Sequence, residues 1–207
     1  VDAKNSILTR LEDLSYDYQL VDNKEEMAIL AEKLLAQNFF SLDTETTGID
    51  PITAELVGMS FSFAENQAFY VPVPANREEA LTIVNIFKHA FENPDSLKIG
   101  QNIKYDLIML ANYGVTLKGK MFDTMIAHYV LQPELRHGMD YLAEIYLKYE
   151  TIKIEELIGA KGKKQGNMRD LAPEAVYKYA CEDADVTLKL KQVLENELET
   201  NGVKKLF

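Results

Sequence analysis

A chain of 207 residues with 33 acidic and 22 basic side chains carries a formal net charge of −11, and its 47% apolar content can build a core, which excludes disorder and suits one α/β domain. The acidity excludes a protein that grips nucleic acid by bulk positive charge, because that mode needs a basic face to displace counterions, so any nucleic-acid role must be local. A single cysteine (Cys181), no apolar run near the ~20 residues of a membrane span, and a start at Val1 with neither signal-peptide shape nor initiator methionine point to a cytosolic location, no membrane, and a piece excised from a longer chain.

In chain order, residues 1–23 are weakly periodic and read as a lead-in. From Lys24 to Ala36, Met27, Leu30, Ala31, Leu34 and Leu35 fall at helical spacing. The run Phe39-Phe40-Ser41-Leu42 suits a buried strand, closed by turn chemistry at Gly48 and Pro51. Residues 55–63 and 67–73 alternate and predict two further strands. A helix is expected over Arg77–Phe91, ended by Asn93-Pro94, and Leu97-Lys98-Ile99 is short enough for a fourth strand. Helical segments follow near 103–112, 123–131, 139–147 and 173–200, so helices pack on a mixed sheet. The stretch Gly159–Gly166 reads as a flexible basic loop. With Arg169 included, Lys161, Lys163 and Lys164 read equally as a solvated loop or as a DNA-strand contact.

The informative residues are acids where the pattern asks for apolar side chains. Asp43 and Glu45, two apart on the first strand, share one face of the sheet. Asp106 lies inside the stripe of Ile103, Leu107 and Leu110, four residues after Asn102, which is itself a good helix N-cap. In the last helix Asp183 interrupts the stripe Val176, Tyr179, Val186, Leu190, Val193, with Tyr179 one turn before it. Asp185 falls off that stripe and is expected in solvent, and Cys181 is expected to be a packing residue.

Four unpaired carboxylates brought together are penalised by desolvation and like-charge repulsion, and a bound cation removes the penalty. An all-oxygen set points to Mg²⁺ or Mn²⁺ rather than zinc. The histidines His89, His128 and His137 share no ligand-like spacing and are expected at the surface or in structural roles. Gly162-Lys163-Lys164 lacks the spacing of a phosphate-binding P-loop. Such a cluster suits phosphoryl chemistry with two metals ~3.5–4 Å apart, with the tyrosine orienting the attacking water.

The segments Ser41-Leu-Asp-Thr-Glu-Thr-Thr47, Gly100-Gln-Asn-Ile-Lys-Tyr-Asp106 and Tyr179-Ala-Cys-Glu-Asp-Ala-Asp185 resemble, in order and spacing, the three motifs of the DEDD exonucleases in their tyrosine-bearing branch. Leu110-Ala-Asn-Tyr-Gly114, Phe122-Asp-Thr-Met125, Arg136-His-Gly-Met-Asp140 and Gly162-Lys-Lys-Gln165 extend the likeness to the proofreading exonuclease domains of bacterial family A polymerases, over roughly residues 22–205. The resemblance implies a ribonuclease H-like α/β fold with a five-stranded mixed sheet, the fifth strand falling near Val115. It implies removal of 3′-terminal nucleotides as 5′-monophosphates from a single-stranded DNA 3′ end, by a monomeric domain joined covalently to a polymerase domain.

By the same resemblance, Asp43, Glu45 and Asp183 bind one metal and Asp106 holds a second, with Asp43 shared. Tyr179 and Glu45 position the water, and Thr46, Ile49, Gln101, Asn102, Tyr105 and Arg136 line the cleft. Ile154 matches the family less well, since an aromatic is favoured there. Asp123 either supports the metal site from behind or caps a helix. The alternatives are a ribonuclease D-like enzyme trimming RNA ends and a catalytically idle module.

Overall fold

The computed structural model describes residues 8–162 and 164–207; residues 1–7, and Lys163 of the basic loop, lie outside the described residues. A six-stranded sheet forms the frame: β1 (Asp17–Leu20), β2 (Phe39–Thr46), β3 (Leu56–Ala64), β4 (Gln67–Pro72), β5 (Leu97–Gly100) and β6 (Met121–Asp123), in the order β1-β4-β3-β2-β5-β6. β2, β3 and β4 are antiparallel neighbours, whereas β1 runs parallel to β4, and β5 and β6 run parallel to β2 and β5. The ribonuclease H-like mixed sheet is therefore present with one strand more than expected. The additional strand, β1, comes out of the lead-in. The strand expected near Val115 does not form there, because Val115 packs into the apolar core; the strand beyond β5 is β6, at Met121–Asp123.

Helices cover both faces: α1 (Lys24–Leu35), α2 (Arg77–Ile86), α3 (Lys88–Phe91), α4 (Ile103–Ala111), α5 (Thr124–Leu131), α6 (Met139–Leu142), α7 (Ile154–Ile158) and α8 (Pro173–Thr200). The helix expected over Arg77–Phe91 breaks in two at Phe87, and the one expected over 139–147 is α6 continued by a π-helical turn, Ala143–Leu147. Asn23 and Asn76 start α1 and α2 by accepting backbone N–H bonds, and Pro173 opens α8 at a position whose N–H needs no partner.

The period of two along β2 sorts its side chains. Phe40 and Leu42 enter a core with Phe61, Met59, Leu34, Phe87 and Phe91 beneath α1 to α4. The opposite face, carrying Ser41, Asp43 and Glu45, turns toward α8. Small residues meet there: Ser41, Ser60 and Ala68 on the strands and Ala180 and Ala184 on the helix are all fully buried. The Ser41 hydroxyl donates to the Ala184 carbonyl at 2.7 Å, tying helix to strand. Gly58 belongs to the same logic, because a Cβ there would stand 2.3 Å from the Tyr70 ring. This close approach lets the short side chain of Asp183 reach β2.

Candidate active site

The site is assembled at the C-terminal end of β2, where a register shift between Glu45 and Thr46 ends regular pairing with β3. Asp43 and Glu45 from β2 and Asp183 from the middle of α8 offer carboxylate oxygens that all lie within 4.8 Å of one another. Glu45 and Asp183 are buried and Asp43 is half-buried. Asp106 stands outside this trio on α4, buried, and accepts a hydrogen bond from the Thr44 hydroxyl at 2.6 Å. Its charge still acts on the Glu45 carboxyl. The structure thus converges four acids from three elements spread over about 140 positions of sequence.

Their electrostatics follow from crowding. Burial pushes the Asp43 carboxyl up to about 7. Glu45, Asp106 and Asp183 are raised well above the usual carboxylate range, first by burial and then by the negative charge of Asp43 and its neighbours. Glu45 Oε1 is buried without a hydrogen-bond partner. A hard divalent cation fits this donor set: every ligand is an oxygen, the ligands already converge, one buried acceptor is unpaired, and positive charge would relieve the repulsion. Tyr179 lies one turn before Asp183, and burial together with the charges of Asp183, Glu45 and Asp43 pushes its phenol upward, so it keeps its proton.

The surrounding residues fall into two groups. Thr46 and Tyr105 are joined hydroxyl to hydroxyl at 2.7 Å, and the Tyr105 hydroxyl also donates to the Gly48 carbonyl at 2.5 Å, fixing the turn that carries Ile49. Ile49 is 98% exposed on that turn. On the other side, β2 and β5 pair Ser41 with Ile99. Gln101 follows the end of β5 directly, and its amide is held by the Thr124 hydroxyl and the His137 carbonyl. Arg136 is exposed on the loop after α5, and Ile154 is half-buried in α7.

Several expectations are corrected. Asn102 precedes α4 but adopts the left-handed conformation (φ 60°) and makes no side-chain cap. The Asp123 carboxylate replaces it, accepting from the Asn102 and Ile103 N–H groups at 3.1 and 3.0 Å and also from Met125 and Ile126 at the start of α5. One acid therefore caps two helices. Asp185 is 1% exposed, not in solvent, and accepts from the Tyr18 hydroxyl, the Asn66 N–H and the Lys189 ammonium at 2.7–2.8 Å. Arg169 is not available to a DNA strand, since its guanidinium donates to the Val73 and Leu56 carbonyls. Lys161 and Lys164 are exposed. His89 is exposed, whereas His128 and His137 meet through their Nδ1 atoms at 2.7 Å. Cys181 is buried as packing.

Thr44 and the contact between His128 and His137 are what sequence reading missed around the site, whereas Asp123 takes the helix-capping role that was one of its two expected ones. Only Asp123 left a local signal, an acid directly before an apolar helix.

Known proteins resemble this chain in sequence and in fold. Residues 18–199 match the family model described as 3′-5′ exonuclease. DNA polymerase I of Pseudomonas aeruginosa is 40% identical over 193 residues, covering 88% of this chain and 21% of that protein. DNA polymerase I of Borreliella burgdorferi is 35% identical over 193 residues, covering 92% and 21%. The chain therefore spans about a fifth of the length of these curated relatives. Among solved structures, Brucella melitensis NrnC superposes with a TM-score of 0.70 at 22% identity, covering 93% of this chain and 85% of that one. Trypanosoma brucei RNase D does so with a TM-score of 0.71 at 19% identity, covering 87% and 65%. These two likenesses speak for the fold. The match over nearly the whole described chain, with the converging acids, places the chain in the 3′-5′ exonuclease family of phosphodiester hydrolases found in DNA polymerase I.

Proposed function

We propose that this chain is a single exonuclease domain that removes 3′-terminal nucleotides from single-stranded or frayed DNA as 5′-monophosphates, and that it proofreads for a polymerase domain in the same longer protein. The observation that supports this most is the meeting of Asp43, Glu45 and Asp183 at the end of the central strand, with Asp106 and Tyr179 beside them. Asp43, Glu45 and Asp183 would hold one Mg²⁺ or Mn²⁺, and Asp106 with Asp43 a second. When bound, such cations supply Lewis acidity for an attacking water and a leaving oxygen.

The chain's own groups do the rest. The neutral Tyr179 phenol and the unpaired Glu45 Oε1 offer one donor and one acceptor to orient a water. Thr46 and Tyr105 stiffen the turn that presents Ile49, an apolar wedge for a terminal base. Gln101 and Asn102 add amide contacts to the last nucleotides, and Arg136 supplies a cation for a phosphate.

The test is product analysis on a 3′-labelled single strand with and without Mg²⁺, run on matched DNA and RNA oligonucleotides. Metal-dependent release of 5′-mononucleotides from DNA is expected. Preference for RNA would replace the substrate, and absence of any metal-dependent release would leave a binding module.

A further inference from the structure

The proposed reading uses Gln101 and Arg136 to hold substrate, yet Arg136 sits on an exposed connection, Gln132–Gly138, between α5 and α6. Apart from bonds at the ends of the flanking helices and one internal turn, Leu135 N–H to the Gln132 carbonyl, the hydrogen bonds that join this connection to the body among the described residues both end on His137. Gln101 Nε2 donates to the His137 carbonyl at 2.7 Å, and His137 Nδ1 meets His128 Nδ1 at 2.7 Å.

His128 is fully buried on α5, with the rings of Tyr141 and Tyr146 edge-on to it at 6.4 and 5.6 Å. The Tyr129 ring packs edge-on against His137 at 5.4 Å. Thr124, one turn before His128 on the same face of α5, donates its hydroxyl to Gln101 Oε1. Thr124, Gln101, His137 and His128 thus close a circuit. Both ends of the Gln101 amide are assigned in it: the oxygen faces Thr124 and one N–H faces His137, which leaves the second N–H for a ligand.

Packing alone does not explain His128, because an apolar residue would fill the space without leaving Nε2 buried and unpartnered, as it is here. We infer that His128 is a positioning residue for substrate: through His137 it fixes the Gln132–Gly138 connection, so that Arg136 and the free N–H of Gln101 face the 3′ end of the bound strand together. The inference rests on the proposed roles of Gln101 and Arg136, and the test separates the two.

Steady-state exonuclease kinetics with Mg²⁺ would be measured on a single-stranded DNA oligonucleotide for the parent chain and for His128→Leu, His128→Asn, His137→Ala and Arg136→Ala. His128→Leu and His137→Ala are expected to raise KM about fivefold or more with kcat within about twofold, because they loosen binding groups and leave the carboxylates in place. His128→Asn, whose amide can occupy the Nδ1 position, should stay within about twofold of the parent KM. The double variant His128→Leu/Arg136→Ala should raise KM by less than the product of the single effects.

In a ¹H spectrum, the downfield proton of the imidazole pair should vanish in His137→Ala. A raised KM in Arg136→Ala with an unchanged KM in His137→Ala overturns this inference alone. An unchanged KM in Arg136→Ala overturns the role of Arg136 and the inference with it. Loss of kcat rather than KM in His137→Ala also overturns it. Because His137 is half-buried, that variant decides the matter even where His128→Leu does not fold.

Discussion

Thr44 points away from Asp43 and Glu45, its neighbours on β2, and its hydroxyl donates to Asp106 Oδ1 at 2.6 Å. This bond favours the ionised carboxylate against burial and the charge of Asp43. Thr44→Val removes it and raises the Asp106 pKa further. Exonuclease activity at pH 7 should fall roughly ten- to a hundredfold, since a hydrogen bond to a charged group contributes ~1.5–3 kcal/mol. The acid limb of the pH–rate profile should move to higher pH, so the deficit is smaller at pH 9. An unshifted limb would exclude this role.

Asp43 stands at the centre of the acid cluster. Asp43→Ala should lower the rate of nucleotide release by roughly a thousandfold or more, equivalent to ~4–7 kcal/mol of transition-state stabilisation. The same substitution removes one of four crowded like charges, so in a chelator the variant should melt at a higher temperature than the parent. Release from single-stranded DNA at the parent rate would refute the site.

The raised carboxyls also set the pH dependence of stability. Unfolded Asp and Glu titrate near ~4, while Asp43 in the folded chain titrates at about 7 and Glu45, Asp106 and Asp183 are raised too. Between those values the folded state holds more protons than the unfolded state, so stability falls as pH rises. In a chelator, urea midpoints should therefore drop from pH 5 to pH 8. Added Mg²⁺ should restore stability mainly at pH 8, where the ligands are ionised. A midpoint independent of pH and of Mg²⁺ would contradict the account.

Asp185 binds three donors from β1, the β3–β4 turn and its own helix. Asp185→Ala leaves the Lys189 ammonium, 16% exposed, without this partner and opens the contact to Tyr18. Unfolding free energy should fall by about 3 kcal/mol, as when a buried ion pair loses one member. Equilibrium urea denaturation measures it, and a loss within experimental error would show that the network adds nothing.

Much of the fold could be read from local patterns. Period and Pro173 mark α8 over 173–200 as found, and Asp183 is visible because it interrupts an apolar stripe. What escaped depended on distant partners. β6 is three residues long, too short to alternate, and β1 shows one buried residue in four. Asp185 looked solvated because a stripe assumes one buried face, whereas the middle of α8 is buried from Ala180 through Leu188. Asn102 carries a local capping signal that Asp123, 21 positions away, overrides. The nine-residue gap between His128 and His137 crosses a loop, where sequence period carries no spatial meaning.

The edge strand β1 has a practical consequence for any fragment of this chain. Cutting just before α1, at the first strongly periodic helix, would uncover the backbone edge of β4 along Gln67–Tyr70, which β1 now occupies. An uncovered edge of that kind is a template for pairing with another molecule. Such a fragment would keep every proposed ligand and still be prone to self-association, and its light scattering on concentration would reveal the missing four-residue strand before any assay did.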